Sequence, residues 1–439
     1  MISRTIADWA FSGNLLRNLQ RKPFEMFLAA VDKLAGLYWK AVKKVDLQLS
    51  YLFIRRLTPR VPVQRNKVFF MSTRGDYQCN PKWICEELVR EGVDCEIVWC
   101  IRAKTDVGMC RFPKKLKLVK RGSPEFYREL ASSRVIVDNS INVIYLGYRP
   151  KPDQVYIETW HGAIGIKRFS AESVSEAKWK RDAYTSARYI AYLVSNSTLE
   201  NEIYRECYWK ENPILLHGHA RNDILCEGDT PRVREIRSRV RQFFGLSPET
   251  KICLYAPTFR EDAGGKVSND VTPYGIDRVR LMAALEKRFG GTWKIMTRLH
   301  FKVAKLLKST SSAAGCIDAN NYPDIQELLT VVDVGITDYS SWICEYLLTR
   351  RPGFLFATDL DVYQKDQRGL YYPLESMPYP VARNNDELVD AVLNFKSEGF
   401  AESCDAFLRD KGCIDDGHAA ERTVAKIREL ISEGRKEQP

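Results

Sequence analysis

Short apolar runs alternate with helix-like stretches along most of this chain, beginning after residue 66. Residues 67–72 form a run that is typical of a buried strand, and residues 81–91 have the periodicity of a helix. The alternation continues with predicted strands at 95–101, 116–119, 134–138, 154–159 and 189–194 and a predicted helix at 124–132. Strands that alternate with helices predict a parallel, doubly wound sheet.

A second block of the same kind follows the charged stretch 228–248, whose turn residues indicate a domain boundary. Its predicted elements are strands at 252–255, 293–297, 333–337 and 354–357 and helices at 325–331, 342–348 and 419–433. We therefore expect an α/β protein with two doubly wound domains, 61–230 and 231–400, that face a cleft, and a closing helix in 401–439. Ligands of open parallel sheets bind outside the carboxyl ends of the strands.

Residues 1–60 carry a different pattern, in which apolar side chains recur every three or four positions through 27–52. This is the stripe of an amphipathic helix, and eleven Lys or Arg against four Asp or Glu give the segment a charge of +7. A basic amphipathic helix is typical of a segment that lies on an anionic membrane surface. We expect residues 1–57 to bind such a surface, although the stripe of 24–57 could equally pack on the protein's own core.

The composition is that of a folded protein, with 45% hydrophobic and 28% charged residues among 439. The twelve cysteines contain no Cys-x-x-Cys pair, which predicts reduced thiols and neither a disulfide framework nor a zinc site. The sequence has no run of eighteen uncharged apolar residues, so no membrane-spanning helix is predicted. It also lacks the features of a secretory signal, and we expect a protein that stays inside the cell.

The first candidate for chemistry is Trp160-His161-Gly162, which follows the predicted strand 154–159 and precedes Lys167. The chain has five histidines, and an imidazole at a strand end beside a flexible glycine suits proton transfer in a cleft. A lone histidine is more often a hydrogen-bonded core residue. Further polar clusters at other predicted strand ends favour the catalytic interpretation.

The turn at 337–341 follows an apolar strand and opens a helix, whose exposed N–H groups favour an anion. Ser340 and Ser341 would donate their hydroxyl hydrogens to phosphate oxygens. Glu345 lies one helical turn further, where its carboxylate would accept hydrogen bonds from a ribose. Plain N-capping by Asp338 or Ser340 is the alternative interpretation.

Two other predicted strand ends carry cationic or hydroxyl side chains. Thr258 and Arg260 are placed for a phosphate or an acceptor, and Arg298 and His300 end a third strand. His300 would hydrogen-bond a diphosphate, although a neutral structural histidine is an equal alternative. Arg351, beyond the helix of the turn at 337–341, would add a guanidinium contact.

Residues 217–223 are predicted to form a strand-to-helix turn at the domain junction. His217 and His219 are two positions apart, but no third ligand with a recognisable spacing is near, so no metal site is predicted. The absence of a Gly-x-Gly-x-x-Gly or Walker motif disfavours dinucleotide redox chemistry and ATP hydrolysis. A nucleic-acid-binding module is the rival class, but the lysines are not interleaved with an RNA motif.

Taken in order, these stretches resemble the CDP-glycerol glycerophosphotransferases, the family that includes teichoic acid primases and polymerases. The resemblance rests on six short motifs, which are Trp160-His161-Gly162 with Lys167, residues 218–223, 255–260, 298–300 and 337–341, and Arg351-Pro352 with 359–371. Ala163, Ala220 and Phe301 depart from the family pattern, and these departures bear on the acceptor and the polyol more than on the reaction type.

The resemblance implies a GT-B fold with an N-terminal acceptor domain and a C-terminal domain for a CDP-linked donor. It implies that an acceptor hydroxyl attacks the distal phosphorus of CDP-glycerol and that CMP leaves. CDP-ribitol, or a nucleotide sugar used by a GT-B glycosyltransferase, is the alternative donor. Members act at the cytoplasmic face of the membrane, as peripheral proteins, on lipid-linked or glycan acceptors in teichoic-acid-like or capsule polymer synthesis.

Under this hypothesis His161 is the general base, and His300 faces the charge that develops during transfer. The predicted donor-binding residues are Thr258, Arg260, Arg298, Asp338, Ser340, Ser341, Glu345 and Arg351. The predicted acceptor or cleft residues are Gly162, Lys167, Arg221, Asn222 and Asp223. We expect no metal ion, no cofactor and no nucleic-acid partner, and we leave open whether the chain forms a homo-oligomer.

Overall fold

The computed structural model describes residues 58–73, 76–102, 105–162, 164–169, 177–260, 268, 270, 272–299, 316–366 and 369–433. The amphipathic helices predicted in residues 1–57 and the predicted site residue His300 lie outside these ranges. Residues from Pro62 onwards form one compact unit, and this unit contains two parallel sheets.

The first sheet contains seven strands, and its register is parallel throughout. Its strands are β1 (Gln64–Phe70), β2 (Glu96–Ile101), β3 (Lys117–Lys120), β4 (Ser133–Asp138), β5 (Val155–Glu158), β6 (Ile190–Ser195) and β7 (Ile214–Leu216). They lie in the order β3-β2-β1-β4-β5-β6-β7, so the direction of strand addition reverses between β1 and β4. A reversal of this kind leaves a crevice at the carboxyl ends of the strands, where ligands bind.

The second sheet repeats this order with six parallel strands. Its strands are β8 (Lys251–Tyr255), β9 (Trp293–Thr297), β10 (Cys316–Asp318), β11 (Val334–Thr337), β12 (Gly353–Phe356) and β13 (Val381–Ala382). The order is β10-β9-β8-β11-β12-β13, with the reversal between β8 and β11. The prediction of two doubly wound sheets is confirmed.

Helices connect the parallel strands, as crossover connections require. The described α-helices are α1 (Cys79–Arg90), α2 (Val107–Cys110), α3 (Pro124–Ser132), α4 (Asn142–Tyr145), α5 (Ala177–Ser186), α6 (Thr198–Glu206), α7 (Asp223–Cys226), α8 (Pro231–Phe243), α9 (Arg278–Phe289), α10 (Ile325–Leu329), α11 (Trp342–Tyr346), α12 (Leu360–Asp366), α13 (Asn385–Leu393), α14 (Phe400–Asp410) and α15 (Ala419–Ser432).

The apolar runs become strands because both faces of each sheet are covered. Val68, Phe69 and Phe70 of β1 are completely buried, although their side chains point alternately to opposite faces. Parallel strands that are buried on both faces are continuous apolar runs. The sequence signal and the burial therefore have the same cause.

Helix α8 begins the predicted second domain, whereas helix α15 departs from the simple order of domains along the chain. Helix α8 lies within the predicted boundary and packs with the second half, since Arg239 binds Glu327 at 2.8 Å and Arg237 donates to the backbone oxygen of Thr330 at 3.1 Å. Helix α15, the last helix described, returns to the first sheet and packs against α1, β1 and β4. The first half of the fold is therefore completed by the end of the described chain.

Three further observations concern the described part of the molecule. No helix in it has both the length and the apolar character needed to cross a bilayer. All twelve cysteines are free thiols. Within the same ranges, no group of three or more His, Cys, Asp or Glu side chains could hold a metal ion.

Candidate active site

The carboxyl end of β5 leads directly to His161, the predicted general base. His161 is exposed to solvent, and its Nδ1 lies 2.6 Å from the backbone oxygen of Asn139, which follows β4. A carbonyl oxygen can only accept, so Nδ1 carries the hydrogen and Nε2 keeps its lone pair. The imidazole therefore offers a proton acceptor at the carboxyl edge of the first sheet.

The surrounding protein favours the neutral form of this imidazole. Although His161 reaches solvent, reduced hydration among the surrounding atoms lowers its pKa to about 4, and the charge of Arg221 acts in the same direction. The hydrogen bond to Asn139 opposes this shift without reversing it. A neutral imidazole near pH 7 is the form that a general base requires.

The residue before His161 has an unusual backbone conformation that buried acids hold in place. Trp160 has φ +50°, and Glu158 accepts hydrogen bonds from the backbone N–H groups of Trp160 at 2.9 Å and Ile141 at 2.8 Å. The Tyr156 hydroxyl lies 3.1 Å from carboxylate oxygens of both Glu158 and Asp138. Burial, followed by the charge of Asp138, raises the pKa of Glu158 to about 8.

The predicted cleft residues Gly162 and Lys167 lie on the segment that follows the imidazole. A Cβ at Gly162 would lie 3.3 Å from the neighbouring indole ring, which explains why the smallest residue stands there. Lys167 forms an antiparallel bridge with Leu370, and Tyr371 donates its backbone N–H to Ile166 at 2.8 Å. This segment of the first half is therefore paired with a segment of the second half.

At the carboxyl edge of the second sheet, three predicted donor-binding residues are tied together. Asp338 accepts from the backbone N–H of Thr258 at 2.8 Å and from Nη1 of Arg260 at 2.7 Å. Arg260 is 5% exposed, and its Nε and Nη2 donate to Asp359 at 2.7 and 2.8 Å. The structure pairs Arg260 with both Asp338 and Asp359, where we predicted a phosphate.

Three hydroxyl groups lie near this network, on Thr258, Ser340 and Ser341. The Oγ1 of Thr258 is buried and has no hydrogen-bond partner among the described residues. Ser340 and Ser341, which precede α11, are only partly buried, and Ser341 does not cap the helix with its side chain. These three hydroxyls could donate to phosphate oxygens without bringing a charge of their own.

Glu345 and Arg221, predicted as ribose and cleft contacts, form an ion pair with each other. Glu345 is 2% exposed, and its second carboxylate oxygen accepts from the amide of Gln326. Burial raises the pKa of Glu345, while the nearby guanidinium opposes that shift. The structure thus places the Glu345 carboxylate in a buried pair with Arg221, where we predicted a ribose contact.

Asn222 and Asp223 are also buried, and they hold the last helix. Asn222 donates to Asp415 at 2.7 Å. Asp223 accepts from the backbone N–H groups of Ala419 and Ala420 at 3.0 and 2.8 Å, so its carboxylate caps α15. Burial raises the pKa of Asp223 to about 7. The structure therefore places both side chains in the frame of the fold, where we predicted an acceptor contact.

The remaining predicted arginines bind backbone oxygens. Arg298 follows β9 and donates to Ala319 and Tyr322 at 2.8 and 2.7 Å. Arg351 precedes β12, so it lies at the amino edge of the second sheet, where it donates to Val332 at 2.6 Å. Ser340 and Ser341 follow β11 at the opposite, carboxyl edge. The structure therefore places Arg351 and the two serines at opposite edges of the second sheet, where we predicted that they share one diphosphate.

A cavity of about 590 Å³ lies between the two halves, away from the predicted site residues. Its lining includes Arg111, Arg239 and Lys82. Lys82, from α1, donates to Asp324 at 2.7 Å and Glu327 at 2.6 Å in the second half. With the Arg221–Glu345 pair, this gives two buried ion-pair links between the halves.

Sequence reasoning missed the residues that hold the segment around His161. They are Asn80, Asn139 and Glu158, and none of them lies in a motif that we singled out. Asn80 stands at the start of a helix, where an asparagine is usually a cap. Glu158 could have been found from the sequence, because it ends an apolar strand. An acid in such a position is seldom fully buried unless it is paired.

Comparison with known families accounts for most of the chain. The model of a family described as CDP-Glycerol:Poly(glycerophosphate) glycerophosphotransferase matches residues 53–429. The teichoic acid poly(glycerol phosphate) polymerase of Staphylococcus epidermidis is 30% identical over 388 residues, which cover 86% of this chain and 52% of that protein. The teichoic acid ribitol-phosphate primase of Bacillus spizizenii is 26% identical over 385 residues, which cover 86% of this chain and 95% of that protein. The chain thus spans about half the length of the polymerase and nearly all of the primase.

A solved structure matches the fold as well. A histidine-to-asparagine variant of the wall teichoic acid polymerase TagF, soaked with CDPG, superposes with a TM-score of 0.74 at 27% sequence identity. The match covers 92% of this chain and 99% of that chain. The two doubly wound sheets are therefore arranged as in TagF, which agrees with the GT-B fold implied by the motifs.

Proposed function

The chain belongs to the CDP-glycerol:poly(glycerophosphate) glycerophosphotransferase family, and from this premise we propose that it transfers glycerol phosphate from CDP-glycerol to an acceptor hydroxyl. One observation supports this proposal above all, namely the exposed imidazole of His161, whose Nδ1 binds the backbone oxygen of Asn139 and whose Nε2 has no hydrogen-bond partner among the described residues. A hydroxyl is a poor nucleophile, and a positioned base contributes roughly 10²–10⁴-fold to its reaction.

The proposed reaction forms one bond to phosphorus and breaks another. The acceptor oxygen forms a bond to the glycerol-bearing phosphorus of CDP-glycerol while Nε2 of His161 takes its hydrogen. The bond from that phosphorus to the bridging oxygen breaks, and the electron pair leaves with CMP. Negative charge grows on the phosphoryl oxygens and on CMP, so hydrogen-bond donors should face them.

The proposed hydrogen-bond donors to this charge are the hydroxyls of Thr258, Ser340 and Ser341. Support comes from the unpartnered, buried Oγ1 of Thr258 and from the exposure of the two serines at the same edge. His300 remains a proposed contact to the same charge. We also propose that the reaction needs no metal ion, with these donors and His300 stabilising the charge.

The acceptor and the place of action follow from the family and the charge pattern. We propose a lipid-linked or glycan acceptor at the cytoplasmic face of the membrane, reached through the basic segment 1–57, in teichoic-acid-like or capsule polymer synthesis. Deletion of residues 1–57 is expected to release the protein from anionic liposomes. Unchanged sedimentation with the vesicles would place the anchor elsewhere.

A CDP-ribitol donor is the second candidate. It is favoured by the similarity to the Bacillus spizizenii ribitol-phosphate primase, which this chain matches over nearly its whole length. Purified protein would be incubated with an acceptor and CDP-glycerol, CDP-ribitol or nucleotide sugars. CMP release with one CDP-polyol identifies the donor, and turnover with a nucleotide sugar alone would refute the proposed reaction.

The role of His161 is tested with a matched pair of histidine variants. His161→Ala is expected to abolish transfer while CDP-glycerol binding stays within a few-fold of the wild type. His418→Ala is the control, because that imidazole is exposed on the surface and pairs with the exposed Glu421 at 3.0 Å. Retained turnover in His161→Ala would exclude it as the base.

A further inference from the structure

The side-chain amide of Asn80 lies at the centre of a buried network behind the His161 segment. Asn80 is 1% exposed and stands in the first turn of α1. Its Nδ2 lies 2.9 Å from the backbone oxygen of Thr159 and 3.2 Å from that of Trp160, and its Oδ1 accepts from the backbone N–H of Arg221 at 3.1 Å. The two carbonyls belong to the residues directly before His161.

The partners of this amide determine its orientation. A backbone oxygen can only accept and a backbone N–H can only donate, so Nδ2 must face Thr159 and Trp160. The same Nδ2 lies 3.1 Å from Nδ1 of the fully buried His219, which accepts when that nitrogen carries no hydrogen. The other nitrogen of that ring lies 2.7 Å from Glu200 and donates to it. The two hydrogens of Nδ2 are thus shared among the two backbone oxygens and the imidazole of His219.

Trp160 needs such support because of its backbone conformation. Its φ of +50° lies in the left-handed region, which costs a residue other than glycine about 1–3 kcal/mol. Glu158 holds its N–H at 2.9 Å, and Asn80 holds its C=O at 3.2 Å. Without the amide, one of these two restraints is lost, and the next residue in the chain is His161.

The network also reaches the carboxyl edge of the second sheet, where the CDP-linked donor is proposed to bind. Arg221, whose N–H binds Asn80, pairs through its guanidinium with Glu345. Glu345 lies in α11, the helix that directly follows Ser340 and Ser341. Asn80 therefore contacts both the segment that carries His161 and Arg221, the residue that pairs with Glu345 of the second half.

We propose that Asn80 is a positioning residue that holds the imidazole of His161 in register with the donor side through Trp160 and Arg221. This inference rests on the proposed role of His161 as the base. Misplacement of a reacting group by about 1 Å can cost about 10²-fold in rate. Loss of the Asn80 amide should therefore lower kcat and leave the KM for CDP-glycerol nearly unchanged.

The test compares two isosteric substitutions. Asn80→Asp keeps the shape and the acceptor for the Arg221 N–H but removes both amide hydrogens. Asn212→Asp is the control, because that buried amide donates to Ala187 at 2.9 Å and Ile190 at 2.8 Å, in the turn before β6. We expect kcat to fall about 10²-fold in Asn80→Asp, with a KM within threefold, and to stay within twofold in Asn212→Asp.

Three outcomes decide the inference. A selective loss of kcat in Asn80→Asp supports it, whereas wild-type kcat in that variant, or an equal loss in Asn212→Asp, overturns it. If Asn80→Asp does not fold, Asn80→Ser, which keeps one hydroxyl donor, is expected to lose about tenfold in kcat, and an unchanged kcat there overturns the inference. His161→Ala is assayed beside them, so that retained turnover in it refutes the proposed base, while its inactivity beside a fully active Asn80→Asp refutes only the positioning role.

Discussion

The carboxyl edges of the two sheets use their polar residues in different ways. At the first edge, Glu158 and Asp138 are buried against backbone N–H groups, and a neutral imidazole reaches solvent. At the second edge, Arg260 and Asp338 bind each other, and the side chains left without such partners are hydroxyls. In both, the charged groups pair within the protein, and the neutral groups are the ones proposed to meet the ligand.

Physical cost explains this division. A charge removed from water is expensive unless a partner satisfies it, so a buried Arg260 or Glu345 must be paired before any ligand arrives. A hydroxyl or an imidazole costs much less to leave open at an edge. The difference between the edges is that the first presents a proton acceptor and the second presents donors, which suits a crevice where a proton leaves and negative charge grows.

The largest effect is expected from removing Arg260, the central cation of the second edge. Arg260→Ala leaves the buried Asp338 and the partly buried Asp359 without their guanidinium partner, and removing one partner of a buried pair typically costs about 3–5 kcal/mol. We expect a drop of about that size in the free energy of unfolding, measured by urea denaturation. Arg383→Ala, which breaks the exposed pair with Asp361 at 3.3 Å, should cost less than about 1 kcal/mol. Equal losses would show that Arg260 is not part of the frame.

Removing the hydroxyls should affect the ligand and spare the frame. Ser340→Ala and Ser341→Ala each delete a donor to a phosphate oxygen, and a hydrogen bond to a charged group is worth about 1.5–3 kcal/mol. We expect the KM for CDP-glycerol to rise at least about tenfold, with an unchanged melting temperature. Ser376→Ala, which loses only a bond to the backbone of Pro373, is the control. Loss of melting temperature without a change in KM would place the serines in the frame.

The proposed role of His161 at the first edge predicts how kcat/KM depends on pH. Because the pKa of His161 is lowered to about 4, the active neutral form is retained well below pH 6.5 and is lost only as the pH falls through about 4. We expect kcat/KM to stay nearly flat between about pH 5.5 and 7.5. An imidazole with the ordinary pKa of about 6.5 would lose about tenfold at pH 5.5, and a decline of that size would contradict the prediction.

The smallest effect is expected at the far edge of the second sheet. Arg351→Met removes a guanidinium that donates to Thr330 and Val332 at 3.1 and 2.6 Å. The free energy of unfolding should fall by about 1–2 kcal/mol, as for the loss of backbone hydrogen bonds. The KM for CDP-glycerol should stay within twofold. A tenfold rise in KM without a loss of stability would indicate that Arg351 contacts CDP-glycerol.

The sheets were predictable from the sequence because strands buried on both faces are continuous apolar runs. The short strands β7, β10 and β13 contain three, three and two residues, too few to give such a run. Helix α8 lies in a stretch rich in arginine, where the charge pattern is more typical of a linker. Its burial depends on partners that the local sequence does not contain.

The position of His161 at the carboxyl end of a strand was predictable, because an apolar run ends just before it. A pairing was not predictable where the partner is distant, since Arg260 meets Asp359 across 99 positions and Arg221 meets Glu345 across 124. A strand-end arginine has the same local signature whether it binds a phosphate or a buried acid. Only the tertiary pairing separates the two cases.

The return of α15 to the first sheet bears on how the protein is made. Strands β1 and β4 emerge early from the ribosome, but the helix that covers them is synthesised only after the entire second sheet. The second sheet does not depend on that cover and can close while translation continues. The first sheet must wait with apolar surface uncovered, and such surface promotes aggregation. The early half of the chain therefore keeps apolar surface exposed for longer during synthesis than the late half does.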